Sequence, residues 1–440
     1  MNFKYLMMTA VLAIGLASCS NDDDNVGGGT TPGDGQKTVA KISLTQNTTL
    51  STYAPTGQEA PIPAEKEIHS AVLYIFNSSR VLEAEVTLDL TSAAPAAGAE
   101  KVFELTAGDK YFYAAVNIPA GKKPVIANGT AMNTAIKSIL SVDDVTELYP
   151  AASGFFMTNV SAPSATNIVV ATQAQAEAGT HNNITIPVGR AMIKASMNYT
   201  KANVPQPASG ELDDVKFLLA NNPKKMHYMP FVNTAGQLES PFFNDPTVTV
   251  SNYYPTLGAT TAGLTFLSAD GTTTTYGMEN SNKEVKKGNA TFALLQGTFK
   301  PATVVDKNGA NPTTITSGTT FWRILKDDDT YMSNFYFENP SGGDEMIAAG
   351  VGATIAEYTN GLCYYSFYLA DNQISGQTVA KYTIRRNSFW KMTITDVGGP
   401  GTNTPGGVIT NPEEPIEAET YIKGRIEVLD WSVYEQGGGI

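Results

Sequence analysis

Few residues of this chain have the types and spacings that catalysis requires. The three histidines, His69, His181 and His227, are scattered along the sequence and lack the paired spacing of a zinc site. The sequence contains no Gly-x-Ser-x-Gly elbow, no His-Glu-x-x-His motif and no Walker loop for phosphate. We therefore predict no catalytic residue, no metal site and no cofactor, and we do not expect the chain to be an enzyme.

Three weaker patterns favour ordinary surface features over chemistry. The acidic run 327–329 lacks the alternating ligands and the glycine of a calcium loop, which favours a solvated turn. Residues 350–352 begin like a dinucleotide-binding loop, but Ile355 stands where the third glycine belongs. The acidic pairs at 143–144 and 213–214 are of a kind common on protein surfaces, although paired carboxylates also serve glycosidases.

The residue with a specific chemical prediction is Cys19, which follows Leu16, Ala17 and Ser18 directly. Residues 1–18 carry one early charge and then an apolar run too short to span a membrane, as in a signal peptide. The stretch that ends at Cys19 resembles the lipobox of bacterial lipoproteins, which implies that Cys19 becomes the lipidated first residue after cleavage. The alternative is an ordinary signal peptide that ends near a cysteine.

Residues 19–37 are predicted to form a flexible tether. The acidic run at 22–24 resembles the surface-export signal of some anaerobic Gram-negative bacteria, although disordered spacers also carry such runs. Glycine, threonine, proline and aspartate dominate the remainder. These features predict a precursor that a lipid anchors in the cell outer membrane and that is displayed at the cell surface.

The composition limits the partners. The chain is 42% hydrophobic and 16% charged, so it can bury the cores of two ordinary domains. A formal net charge of −13 argues against nucleic acid or an anionic lipid surface as a partner. Cys363 is the one cysteine besides Cys19, which excludes an intramolecular disulfide in the mature chain. Its apolar strand context predicts a buried, unreactive thiol.

The elements that must position any site are mostly strands. Ala40, Ile42 and Leu44 alternate in a first strand at 39–45, and a near-continuous apolar run follows at 68–76. Short strands separated by glycine and proline favour antiparallel sandwiches over a parallel sheet with helices. The best helix candidate is 131–140, where four apolar residues fall on one face: Met132, Ile136, Ile139 and Leu140.

A polar connection at 174–181 separates two strand-rich halves. We predict an N-terminal β-sandwich domain at 38–180 and a C-terminal β-sandwich domain at 181–397. Residues 184–197 read as one long extended segment beside this boundary, and Asp270-Gly271 signals a hairpin.

The C-terminal region 398–440 combines a linker with a strand. Glycine and proline at 398–415 predict a linker or a loosely ordered arm. Alternation then divides the apolar residues of the strand between two faces: Ile422, Ile426 and Val428 on one, and Leu429, Trp431 and Val433 on the other. The phase switch between the two sets indicates a bulge or two short strands. The strand either folds back onto its own domain or pairs with a neighbouring molecule.

Several stretches, in their order along the chain, resemble segments of the fimbrillin family, the subunits of type V pili. They lie at 67–76, 111–117, 154–158, 189–195, 386–394 and 399–403, together with the tail around Trp431. The resemblance implies an all-β fold with two transthyretin-like antiparallel β-sandwich domains, one short helix and a C-terminal donor strand.

The resemblance also implies a route of assembly. A protease removes the N-terminal segment with the first strand at 39–45, and a neighbour's C-terminal strand fills the groove that is left. The family's processing site is commonly an arginine in the loop after that strand, but residues 46–65 contain no Arg or Lys here. Three options stay open: another protease, a cut at Lys66, or a subunit that stays uncut as an anchor or accessory component.

Two functions from different classes follow. The first is a structural subunit of a cell-surface pilus, or fimbrium, whose partners are other copies of itself or related pilus subunits. The alternative is a surface lipoprotein or tip adhesin that binds glycan or host protein through exposed aromatic residues such as Tyr253 and Tyr254.

Overall fold

The computed structural model describes residues 35–46, 61–90, 99–151, 153–326, 336–339, 354–372, 374–375, 378–416 and 422–431. The signal peptide, Cys19, most of the tether and Val433 lie outside the described residues, as do 327–329 and 350–352. What the sequence predicts for them stays a prediction.

The N-terminal half is built around one sheet. The strands of this half of the chain are β1 (Lys37–Gln46), β2 (Ser70–Phe76), β3 (Leu82–Asp89), β4 (Ala99–Thr106), β5 (Gly108–Val116), β6 (Ile139–Ser141), β7 (Met157–Asn159), β8 (Thr166–Ile168) and β9 (Asn183–Arg190). The order across the sheet is β3-β2-β5-β7-β9-β1-β4, and β8 pairs with the start of β5. The apolar run of β2 is buried from Ala71 to Phe76, because β3 and β5 flank it and side chains cover both faces.

The C-terminal half contributes two four-stranded sheets, together with two two-stranded pairs, among the described residues. Its strands are β10 (Met192–Asn198), β11 (Gly210–Ala220), β12 (Asn222–Pro223), β13 (Lys225–His227), β14 (Tyr253–Tyr254), β15 (Leu267–Ser268), β16 (Asp270–Met278), β17 (Phe292–Pro301), β18 (Phe321–Leu325), β19 (Thr354–Tyr358), β20 (Leu362–Tyr368), β21 (Ser388–Val397) and β22 (Ile422–Asp430). One four-stranded sheet has the order β16-β10-β21-β22 and the other the order β15-β11-β17-β20, and the two-stranded pairs are β12-β14 and β18-β19.

The two four-stranded sheets share one hydrophobic core. Ile193 of β10 and Trp390 of β21 belong to the same cluster as Phe217 of β11, Leu295 of β17 and Phe367 of β20. Two sheets that bury one core between them form a β-sandwich, and the predicted all-β fold class is confirmed. Two strand pairs depart from a purely antiparallel arrangement, since β1 runs parallel to β9 and β10 runs parallel to β21.

The chain passes from the first sheet to the second at Ala191. β9 pairs with β1 and β7, whereas β10 pairs with β16 and β21. The predicted division between residues 180 and 181 therefore falls before the last strand of the first sheet. The apolar pattern runs through 184–197 without a break, so it conceals the point at which one strand ends and the next begins.

Within the described residues there are two short α-helices, α1 (Met132–Ile136) and α2 (Gln173–Glu177), where one was predicted. The predicted helix at 131–140 is wrong beyond Ile136, because Ile139 and Leu140 lie in β6, which pairs with β13. Across all the residues that the structure describes, no helix has the length and apolar character needed to cross a membrane.

Candidate assembly site

β1 is an interior strand of the first sheet. It pairs with β4 along one edge and with β9 along the other. Ala40, Ile42 and Leu44 have no exposed surface. Removing this strand would leave β9 with one unpaired edge and β4, the terminal strand, without its ladder to the sheet, on either side of a slot lined by the apolar core.

The outer face of β1 is held less tightly. The ammonium of Lys41 and the hydroxyl of Ser43 contact the carboxylate of Glu100 at 2.7 and 2.9 Å. These hydrogen bonds, that from Lys41 first, hold the pKa of Glu100 below its usual value. Exposed pairs of this kind contribute about 0.2–1 kcal/mol, so buried apolar side chains and backbone pairing dominate the attachment of the strand.

The C-terminal strand β22 folds back onto its own subunit. It pairs antiparallel with β21 along its whole length. Ile422 and Ile426 join the core of the sandwich, with Val428 half-buried against it, while Leu429 and Trp431 join the core of the N-terminal half. Of the two arrangements that the sequence left open, the described chain adopts the folded-back one.

The switch between the two apolar faces of β22 has a different origin from the predicted bulge. β22 continues through Val428 and Leu429 without interruption, and the irregularity in its pairing lies at Thr395 of β21. The strand spans two cores, so each face finds apolar partners.

The segment before β22 is packed onto the sandwich, which corrects the prediction of a loosely ordered arm at 398–415. Thr402 and Tyr364 exchange backbone hydrogen bonds of 2.8 and 2.9 Å. Gly401 lies so close that a Cβ there would approach the carbonyl oxygen of Tyr364 to 1.9 Å. Glycine here permits a close backbone contact. In the free subunit the tail and the segment before it are therefore both packed against their own core.

A buried carboxylate, Glu65, joins the segment after β1 to the tail. It lies in the 3-10 helix Pro63–Lys66 and has no exposed surface. Its Oε2 accepts a hydrogen bond of 2.9 Å from the indole N–H of Trp431. Its Oε1 accepts a hydrogen bond of 2.7 Å from the hydroxyl of Tyr276 and lies 2.9 Å from Nζ of Lys194. Sequence reasoning missed Glu65 altogether.

Arg190 is a second buried cation beside this carboxylate. Its guanidinium donates to the backbone carbonyls of Glu65 at 2.9 Å and Trp431 at 2.7 Å, and to Oε1 of Gln46 at 3.1 Å. Burial lowers the pKa of Arg190 to about 10, and the charge of Glu65 opposes that shift. We call Glu65, Lys194, Tyr276, Arg190 and Trp431 the Glu65 cluster. Through Gln46, the last residue of β1, the cluster also touches the strand of the candidate slot.

The aromatic residues expected to capture glycan or host protein are buried. Tyr253 and Tyr254 form β14 and are 5% and 7% exposed. The hydroxyl of Tyr253 donates to Oδ1 of Asn282 at 3.4 Å. Their rings are largely packed in the interior, so neither is the exposed aromatic side chain that the sequence had predicted.

Cys363 is fully buried in β20, and burial raises the pKa of its thiol to about 11. A thiol that is protonated and inaccessible is a poor nucleophile. No group of three or more His, Cys, Asp or Glu side chains that could hold a metal ion occurs among the residues described. Within the described chain, the candidate assembly site therefore consists of the interior strand β1, the Glu65 cluster and the folded-back strand β22.

Comparison with known proteins points to one family. Residues 356–437 match the family model described as the C-terminal region of fimbrillin, a major fimbrial subunit protein. The chain is 22% identical over 462 residues to the minor fimbrium subunit Mfa1 of Porphyromonas gingivalis, across 93% of this chain and 89% of that relative.

A solved structure shares the fold. The crystal structure of a candidate cell adhesion protein from Parabacteroides distasonis ATCC 8503 has a TM-score of 0.51 and 13% identity to this chain, covering 90% of it and 99% of the other protein. The region matched by the family model contains β20, β21 and β22, and therefore the candidate tail. The comparisons thus show that this chain is similar to fimbrial subunits, with the fimbrillin model itself matching the C-terminal residues 356–437.

Proposed function

We propose that this chain is a structural subunit of a cell-surface pilus and that it joins its neighbour by strand exchange. The match of residues 356–437 to the fimbrillin C-terminal model and the similarity to the minor fimbrium subunit Mfa1 support the subunit role. The observation that carries the exchange is the interior position of β1, whose removal leaves two pairing edges around an apolar slot. A strand with matching side chains restores both ladders.

An empty slot binds such a strand strongly. Ile42 and Leu44 are fully buried, and a side chain of this size contributes about 1.5–3 kcal/mol when it leaves water. The edges of β4 and β9 add unpaired backbone groups, which are costly to bury without partners. A processed subunit therefore favours any arrangement that fills the slot.

The tail carries a side-chain pattern that fits the slot. The buried positions that alternate along β1 are Thr38, Ala40, Ile42 and Leu44. The corresponding alternate positions of β22 are Ile422, Gly424, Ile426 and Val428. In both series the second residue is small and the two that follow it are larger aliphatic ones. We place Gly424 in the position of Ala40, with Ile426 and Val428 in those of Ile42 and Leu44.

This register also offers a charge match on the outer face. Arg425 takes the position of Lys41, whose ammonium contacts Glu100 of the same chain. In the joint, Arg425 of one subunit would face Glu100 of the next. Both side chains are exposed in the free subunit, so changing them leaves both cores intact.

Charge reversal tests the register. Glu100→Arg alone and Arg425→Glu alone should each weaken the joint by up to about fivefold, since an exposed pair is worth about 0.2–1 kcal/mol. The two changes in one chain should restore assembly towards that of the wild type. Assembly of processed subunits is followed by light scattering and electron microscopy.

Lys423→Glu is the matched control, because Lys423 is an exposed cation on the same tail that pairs with Asp396 of its own subunit at 3.3 Å. Equal losses for Lys423→Glu and Arg425→Glu would mean that total tail charge matters and the register is wrong. Normal filaments from a chain that ends at residue 421 would contradict strand exchange itself.

The proposed route to the surface begins with lipidation at Cys19. The Leu-Ala-Ser-Cys stretch supports a lipid-anchored precursor in the outer membrane, and the fimbrial relatives support a place in the fimbrium. Processing between residues 46 and 66 would then free the subunit from its anchor and open the slot in one step.

A further inference from the structure

The folded-back tail poses a problem for assembly, because β22 must leave its own sheet before it enters a neighbour. Trp431, at the end of the described tail, is fully buried. Its ring stacks on Tyr276 at 5.6 Å between centroids and meets the edge of Phe155 at 5.8 Å. Its indole N–H and its carbonyl are both held within the Glu65 cluster, by Glu65 and Arg190.

Glu65 is the carboxylate of the cluster, and both buried cations of the cluster, Lys194 and Arg190, lie beside it. Lys194 lies 2.9 Å from its Oε1, and the guanidinium of Arg190 donates to its backbone carbonyl. Without the carboxylate, two cations would remain close together in a buried site with their charge uncompensated, which is strongly unfavourable. Water would have to enter the site or the chain would have to move, and the segment that can leave the site is the end of the tail at Trp431.

Lys66, which directly follows Glu65, is the first basic residue after β1, because residues 46–65 contain no Arg or Lys. A cut after Lys66 would remove β1 and Glu65 on the same fragment. A cut within 47–60 would remove β1 but leave Glu65 joined to β2. Both cuts open the slot left by β1, but only the cut after Lys66 also takes Glu65 away from the tail.

We propose that Glu65 holds the C-terminal strand in its own subunit, and that cleavage after Lys66 opens the slot and releases the tail together. This inference rests on the proposed strand exchange. A protease specific for basic side chains catalyses the cut. The amide bond between Lys66 and Glu67 breaks: the hydroxyl of a water molecule goes to the carbonyl carbon of Lys66, and its remaining hydrogen goes to the nitrogen of Glu67, the new amino terminus.

Hydrogen–deuterium exchange of the unprocessed chain tests the hold on the tail. Glu65→Gln keeps the shape of the side chain and removes its charge, so the amides of β22 should exchange at least about tenfold faster. The amides of β17 should keep their protection. Glu67→Gln is the matched control, since Glu67 is a neighbouring carboxylate that pairs with the partly exposed His69 at 3.0 Å.

Trp431→Phe provides a second, milder variant, because it keeps an aromatic ring and deletes the N–H that Glu65 accepts. It should also speed exchange in β22, to a smaller extent, and it decides the matter if Glu65→Gln unfolds the whole chain. Unchanged β22 exchange in both variants would overturn the inference, and so would an equal effect of Glu67→Gln.

Filament assembly is measured separately from hydrogen–deuterium exchange. A mobile β22 in Glu65→Gln without filaments after processing would support the hold by Glu65 and count against strand exchange. Filaments whose subunits still begin upstream of Glu65, and which form as fast as those cut after Lys66, would overturn the role of Glu65 in release.

Discussion

Gly424 has no room for a side chain in the folded-back strand, whereas the position that it takes in the proposed joint accommodates a methyl group. In the folded-back strand, a Cβ at this position would approach the ring of Phe367 to 2.6 Å and the carbonyl oxygen of Thr393 to 2.5 Å. In the proposed joint, the same position corresponds to Ala40, which already carries a methyl group. An added methyl therefore penalises the folded-back state alone.

Gly424→Ala should lower the free energy of unfolding of the unprocessed chain by about 1–3 kcal/mol, the usual cost of overpacking. It should also speed assembly of the processed chain, because the tail leaves its own sheet more easily. Urea unfolding and light scattering measure the two effects. Gly258→Ala is the control, since nothing lies within 4 Å of a Cβ there. Assembly that slows in proportion to the lost stability would contradict the register.

At the scale of elements, sequence periodicity located the strands whose apolar pattern is continuous. The run at 68–76 corresponds to β2, and the alternation of Ala40, Ile42 and Leu44 corresponds to β1. Both patterns are local, because burial on one or both faces of a strand shows directly in neighbouring residues. The same reasoning identified the tail strand that became β22.

Periodicity failed where distant pairing decides the structure. Asp270-Gly271 suggested a hairpin, but β15 and β16 lie in different sheets. Asp270 instead accepts hydrogen bonds from the backbone N–H groups of Thr272 and Thr273, a local turn that the dipeptide also favours. Two strands beside a turn signal pair only when the rest of the fold supplies no better partners.

The Glu65 cluster had no signal in the sequence that could have revealed it. Glu65 meets Tyr276 and Trp431, which are 211 and 366 positions away along the chain. No periodicity or short motif connects residues at such distances. A lone carboxylate in a proline-rich loop reads as an exposed charge until the fold is known.

Removing β22 should weaken both halves of the molecule. Ile422 and Ile426 contribute to one core, and Leu429 and Trp431 contribute to the other. A chain that ends at residue 421 should lose about 5 kcal/mol or more of unfolding free energy, given about 1.5–3 kcal/mol for each buried side chain. Urea unfolding measures the loss, and a synthetic peptide of residues 420–434 added in trans should restore part of it. Unchanged stability would show that the folded-back strand contributes nothing.

At the scale of the whole molecule, the first residue of the mature subunit distinguishes a filament role from an anchor role. A filament subunit should begin at Glu67 if the cut follows Lys66, and it should lack β1 wherever between 46 and 66 the cut falls. N-terminal sequencing of purified filaments decides this, with a clickable fatty acid marking Cys19 in the precursor. A lipidated Cys19 at the terminus of the filament subunit would assign the chain to an anchor role. A label that persists in Cys19→Ala would contradict lipidation at that residue.

The parallel pairing of β1 with β9 has a consequence for growth. A donor that replaces β1 in the same ladders must run in the same direction, parallel to β9 and antiparallel to β4. In the proposed exchange every joint then relates one molecule to the next by the same head-to-tail operation, which gives an open fibre when the repeated rotation does not close a ring. A fibre built by the proposed exchange would have unlike ends, with an open slot at one end and an unpaired tail at the other. It would therefore grow in one direction, and a single subunit that lacks either feature would end its growth.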